Sequence, residues 1–130
     1  MTGMTTVEPG YPDIEAVLIT YLGALAQTGE FTPESLDAPF IRVNRVGGFD
    51  DGLTDRPRVE IACYCPTRRE SQALSEQVRQ YVIACDGTDA AGTYIDHVVT
   101  ESQAGRTTYP NEDVRRIAAV YRFSLRRPRS

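Results

Sequence analysis

Along this chain the apolar positions fall first at helical spacing, then in alternation, then at helical spacing again, and finally in alternation toward the C-terminus. Ile14, Val17, Leu18, Tyr21, Leu22 and Leu25 recur at i, i+3, i+4, i+7, i+8 and i+11, which makes one continuous stripe. Pro12-Asp13 opens that helix, Asp13 and Glu15 sit at its positive dipole end, and Gly29 is its expected stop. Glu30 to Pro39 reads as a linker with two prolines. Two runs rich in β-branched residues follow, Ile41 to Val46 and Val59 to Cys65, with Val59, Ile61 and Cys63 on one face and Glu60, Ala62 and Tyr64 on the other. Between them Gly47-Gly48 and Gly52 allow positive φ, so these runs form a long-armed hairpin whose polar tip, Gly47 to Asp55, projects as a docking element.

After the hairpin, Thr67 can cap a helix with Glu70 closing the capping box. Its stripe is Leu74, Val78, Tyr81, Val82 and Cys85, widened by Ala73, and Asp86-Gly87 ends it with Gly87 left-handed. Gly92 to Thr100 reads as a third strand, Glu101 to Asp113 as a second loop, and Ile117 to Arg126 as a fourth strand of clear alternation. The expected fold is α+β and two-layered, in the order α-β-β-α-β-β. Two hairpins joined by a right-handed helical crossover make a four-stranded mixed sheet with both helices on one face. The other face then carries Arg42, Asn44, Glu60, Tyr64, Arg122 and Arg126. Residues 1–10 read as a flexible N-terminal arm, 11–126 as a single domain and 127–130 as a basic tail.

Composition changes this picture in one respect, the placing of charge. Residues 1–41 hold six acids (Glu8, Asp13, Glu15, Glu30, Glu34, Asp37) and no basic residue, whereas all fourteen basic residues beyond them are Arg. Such asymmetry fits two readings equally, a solvated acidic helix beside ordinary mixed strands or a subunit with opposite-sign edges suited to head-to-tail contact between copies. A net charge of −4 and the lack of a basic stripe argue against sequence-specific nucleic-acid binding. No apolar run reaches membrane-spanning length and no secretory leader is evident, so a soluble, cytosolically made chain is expected.

Chemistry finds little footing. His97 is the lone histidine, and a metal site from Cys63, Cys65, Cys85 and His97 lacks zinc-like spacing, with Cys63 and Cys65 expected on opposite faces. Asp50, Asp51 and Asp55 lack the ligand order of a calcium loop, and no nucleotide-loop, nucleophile-elbow or metalloprotease motif occurs. No catalytic residue, metal or cofactor is therefore expected.

Pro12-Asp13-Ile14-Glu15, Arg42-Val43-Asn44-Arg45-Val46-Gly47-Gly48, Asp55-Arg56-Pro57-Arg58-Val59-Glu60-Ile61, the Thr-capped helix and the final Arg122-Phe123-Ser124-Leu125-Arg126 carry a likeness. Taken in order, they resemble the tail terminator proteins of long, non-contractile-tailed bacteriophages, over about Tyr11 to Arg126. The resemblance implies a structural virion protein. It would form a hexameric ring at the head-proximal end of the tail tube, ending polymerisation and joining tail to head. Its implied partners are further copies of itself, the major tail tube protein and a neck or head-completion protein. DNA would pass through the lumen without sequence-specific binding, and no membrane would be involved. The implied location is the virion, with the host cytoplasm as the site of assembly. On this reading Phe49, Asp50, Asp51, Asp55, Arg56 and Arg58 are the candidate contacts to a ring neighbour or the tube, with Arg56 and Arg58 as ion-pairing anchors. A neck connector is the alternative in the same class, and a small-ligand or metal-binding module the alternative outside it.

Overall fold

The computed structural model describes residues 10–30, 38–106 and 115–126. Helix α1 spans Ile14–Leu22, capped by Asp13, whose Oδ1 accepts from the N–H groups of Glu15 (3.0 Å) and Ala16 (3.5 Å). It stops at Gly23, short of the expected Gly29, because glycine is a poor helix former and the chain there turns into a strand. Leu25 and Ala26 still pack on the core from that turn. Strand β1, Gln27–Gly29, then runs parallel to the start of β2, Phe40–Asp50.

β2 pairs antiparallel with β3, Thr54–Tyr64, and the ladder continues well past the β-branched runs. A bulge between Arg45 and Gly47 resets the register, after which Gly48 pairs with Pro57 and Phe49 with Arg56. Gly48 has φ +112°, and a Cβ there would lie 2.3 Å from the Arg56 carbonyl oxygen, so only glycine lets the strands close at this point. The expected loop Gly47 to Asp55 is thereby mostly strand, and the true turn is the exposed Asp51, Gly52 and Leu53.

Helix α2, Arg68–Ala84, begins as expected: Thr67 Oγ1 accepts the Glu70 N–H (3.2 Å) and donates to Glu70 Oε1 (2.9 Å). Its buried stripe is Ser71, Leu74, Ser75, Val78 and Val82, while Ala73 and Tyr81 are exposed. Tyr21 donates its hydroxyl to the Tyr81 carbonyl (2.6 Å). Gly87 takes the left-handed conformation, φ +70°. The expected third strand is broken at Asp96: β4 (Thr88–Ala90) and β5 (Thr93–Ile95) form a small hairpin, and β6 (His97–Arg106) joins the main sheet beside β7 (Ile117–Arg126). β6 also takes in the start of the expected loop Glu101 to Asp113.

The fold is α+β, but the expected four-stranded sheet in the order α-β-β-α-β-β needs correction. The main sheet has five strands, ordered β1-β2-β3-β7-β6, with β4–β5 as a separate two-stranded sheet. β1 and β4 are three residues each, too short to carry an alternation. The sheet is mixed only through the parallel β1–β2 pair. Both helices do lie on one face: Ile14, Leu18 and Leu22 of α1 and Leu74, Val78 and Val82 of α2 share one core with Ile41, Val43, Val59, Ile61, Tyr121 and Phe123. Cys63 and Cys65 both belong to that core, so the expectation that they face apart is wrong; residues two apart in extended chain share a side. Residues 1–9 of the arm, 31–37 of the linker, 107–114 of the second loop and the tail 127–130 lie outside the described residues.

Candidate assembly surface

The face of the sheet away from the helices is built by the opposite parity of the same strands. Toward one end Phe40, Ala62 and Tyr64 make a small buried cluster with Ala118 against it. Arg116 spans the next step, its Nη2 2.6 Å from Glu60 Oε1 and its Nε donating to the Tyr64 hydroxyl (3.0 Å). Farther along, Arg58 and Arg122 lie directly opposite one another on β3 and β7. Two like charges at that spacing repel. Glu101 of β6 sits between them, Oε1 2.7 Å from Arg58 Nε and Oε2 2.6 Å from Arg122 Nε, the second contact being an ion pair out of line for a hydrogen bond.

Beyond this triad the face ends at the hairpin tip. Phe49 is 55% exposed, with the guanidinium carbons of Arg56 and Arg122 lying 5.7 and 5.9 Å from its ring centre. Each such cation–π contact is worth about 0.5–1 kcal/mol at an exposed site. The turn is locked by its aspartates. Asp51 Oδ1 accepts from Leu53 N (3.0 Å) and Thr54 N (2.8 Å), its Oδ2 lies 2.9 Å from Arg56 Nη1, and Asp50 Oδ1 accepts from Gly52 N (3.1 Å). The Arg56 guanidinium first, and those N–H groups after it, hold the Asp51 carboxyl well below the usual carboxylate range. Leu53, at the apex, is 78% exposed.

The expected contact residues therefore divide. Phe49, Asp50, Asp51, Arg56 and Arg58 gather at or beside the tip. Asp55 does not present itself there: it is 4% exposed, turned to the helix side and held bidentately by Arg45, both N···O distances being 3.1 Å. It braces the finger from behind. Arg45 is the residue missed from the sequence, since its own N–H also donates to Glu15 of α1 (3.1 Å), tying helix, strand and tip together. Glu101, Arg116 and Arg122 were likewise not singled out as an ion-pair network.

An exposed aromatic and an exposed leucine on a pre-set turn, beside arginine-rich strands, suit a contact between proteins. The phage tail termination protein family matches residues 10–130 of the chain. The chain belongs to that family. No curated protein matches it. Membership gives this tail termination protein a structural role in the phage tail and a place in the virion. No helix among the described residues is long and apolar enough to cross a membrane.

The groups that could do chemistry in this tail termination protein are held elsewhere. Burial pushes the Cys63 thiol up to about 12 and the Cys85 thiol up to about 11, and raises that of Cys65. His97 Nδ1 lies 2.7 Å from Asp86 Oδ1 at the surface, and the same oxygen takes the Val98 N–H. Among the described residues no three of His, Cys, Asp and Glu come together as a metal ion would need.

Proposed function

We propose that this tail termination protein forms a hexameric ring on the head-proximal end of the tail tube of a long, non-contractile-tailed phage. The ring stops tube polymerisation and joins tail to head. It assembles in the host cytoplasm and touches copies of itself, the tube protein and a neck protein, while DNA passes through without sequence-specific contact. No covalent bond is made or broken. The observation that carries this reading is the β2–β3 tip: Phe49 and Leu53 stand 55% and 78% exposed on a turn already fixed by Asp50, Asp51 and Arg56. A contact loop ordered before binding loses little entropy on docking. Thiols kept protonated by burial agree with a role that needs no nucleophile.

The test adds the purified chain to polymerising tube protein and images the product by electron microscopy. Short tubes bearing a ring at one end are expected. Tubes of undiminished length with bare ends would overturn the reading, and rings found on heads alone would favour the neck connector.

A further inference from the structure

Two Asp-Gly bonds occur in the chain, Asp51-Gly52 at the hairpin tip and Asp86-Gly87 after α2. Such a bond is chemically labile, because glycine has no side chain to hinder ring closure on the carboxyl before it. The glycine main-chain nitrogen attacks the aspartate Cγ, the N–H proton leaves with the carboxyl hydroxyl as water, and a five-membered succinimide results. Solvent water then reopens the ring at either carbonyl. One product is aspartate again; the other is isoaspartate, with the main chain routed through Cβ and Cγ. Only a neutral carboxyl gives up its hydroxyl readily, so a carboxylate held ionised resists the reaction.

Both bonds are restrained, by different means. At Asp86-Gly87 the main chain does most of it: the Gly87 N–H donates to the Ile95 carbonyl (2.9 Å), and the Val98 N–H donates to Asp86 Oδ1 (2.7 Å). That Val98 N–H is the main reason Asp86 stays ionised, with His97 adding to it. At Asp51-Gly52 side chains carry more of the restraint. The Gly52 N–H donates to the Asp50 carboxylate (3.1 Å), which is far too weak a base to take an amide proton. Leu53 N and Thr54 N hold Asp51 Oδ1, and the Arg56 guanidinium, 2.9 Å from Oδ2, is the main reason this carboxyl stays ionised. We infer that Asp51-Gly52 is a latent isoaspartate site of this chain, and that the Arg56 side chain keeps it closed. The bond opens to reaction when Arg56 is lost or drawn to another carboxylate. Isomerisation there adds one carbon to the main chain of the turn and displaces the carboxylate that Leu53, Thr54 and Arg56 hold, which undoes the lock on the apex. The reaction belongs to the single chain and needs no ring.

The test incubates the full folded chain beside its Arg56→Gln and Arg56→Lys variants near neutral pH and follows isoaspartate at each bond by peptide mapping and mass spectrometry. Each unit by which a carboxyl's folded pKa rises multiplies its neutral form about tenfold, so Arg56→Gln should isomerise at Asp51 about tenfold faster than wild type. Arg56→Lys keeps the charge and should recover most of the protection. Asp86-Gly87 is the control within the same molecule and should react at the wild-type rate in all three, since a general loosening of the fold would speed both bonds. The wild-type chain unfolded in urea loses these contacts and should isomerise at both. Equal rates at Asp51 in wild type and Arg56→Gln, a matching rise at Asp86, or no protection from lysine would each overturn the assignment. So would a folded wild-type chain as reactive at Asp51 as the unfolded one.

Discussion

On the helix side of the sheet Ile41, Val43, Val59, Tyr121, Phe123 and Leu125 are at most 1% exposed. On the other side, at neighbouring positions of the same strands, Arg42, Asn44, Glu60, Val120 and Arg122 are half-buried. The first face is held by removal of apolar surface from water, about 1.5–3 kcal/mol for each large side chain fully covered. The second is held largely by arginine–carboxylate pairs that water screens, with a median near 0–1 kcal/mol each. The inner face can therefore fix the fold almost alone. The outer face stays ordered without being strongly committed, so its charged groups can exchange an internal partner for an external one at little cost. That division suits a subunit that must fold first and assemble afterwards.

The sharpest way to break this comparison is to place the same charge on adjacent residues of β7. Tyr121→Asp buries a carboxylate among the helix contacts and should cost at least about 4 kcal/mol, enough to leave little folded protein. Val120→Asp, one residue away on the outer face, should cost about 1 kcal/mol. Thermal melts of the two decide it, and equal losses would mean that the faces are not distinct.

Next in size is the backbone at the tip. Gly48→Ala drives a Cβ to 2.3 Å from the Arg56 carbonyl oxygen and should cost about 2–3 kcal/mol. Gly52→Ala, with φ +88° but open space around it, should cost only about 1 kcal/mol. Urea titration separates them. Arg45→Ala falls between, at about 2 kcal/mol, because it strands the buried Asp55 carboxylate while Arg45 itself is 37% exposed.

How far the sequence reveals this division depends on where the strands stay regular. β7 alternates without interruption, so its two faces could be read residue by residue. Arg45 was half legible: it stands two positions after Val43 and four after Ile41, on the buried parity, where a charge demands a partner. Which partner could not be counted, because the bulge at Val46 shifts the register and brings Asp55 round to the same side. Glu101 was hidden for a similar reason, lying where β6 slips register against β7 between Thr100 and Ser102. β1 and β4 carry no period at all in three residues, and their pairing comes from the chain around them. The tip's aspartates were legible as a turn. Their role as its internal locks follows only from the distances.

A smaller effect on stability, but a larger one on assembly, is expected from Arg56→Glu with Arg58→Glu. Both side chains are on the weakly held face, at 34% and 41% exposure, so the monomer should lose about 1 kcal/mol or less. Ring or tube association should nonetheless fall, because the exchange reverses the charge beside Phe49. Light scattering with tube protein reads the second effect and a melt the first. Unchanged assembly would count against the outer face as the working one.

The smallest effect is the dependence of the tip on pH. Asp51 is held below its ordinary value of 3.8 by Arg56 and by the Thr54 and Leu53 N–H groups. A carboxyl with a depressed folded pKa contributes stability that is fully present above the ordinary value and is lost as pH falls through the folded one. Asp51→Asn removes that contribution. The variant should melt slightly below wild type by a constant margin from about pH 7 to about pH 5, and the margin should shrink once pH falls below about 4. Arg56→Gln, which withdraws the strongest of Asp51's partners, raises the folded pKa toward the ordinary value, so in that background the margin should be smaller and its loss complete at a higher pH. A margin indifferent to pH would mean that the turn is held by its backbone alone, and that the apex needs no charge to keep its shape.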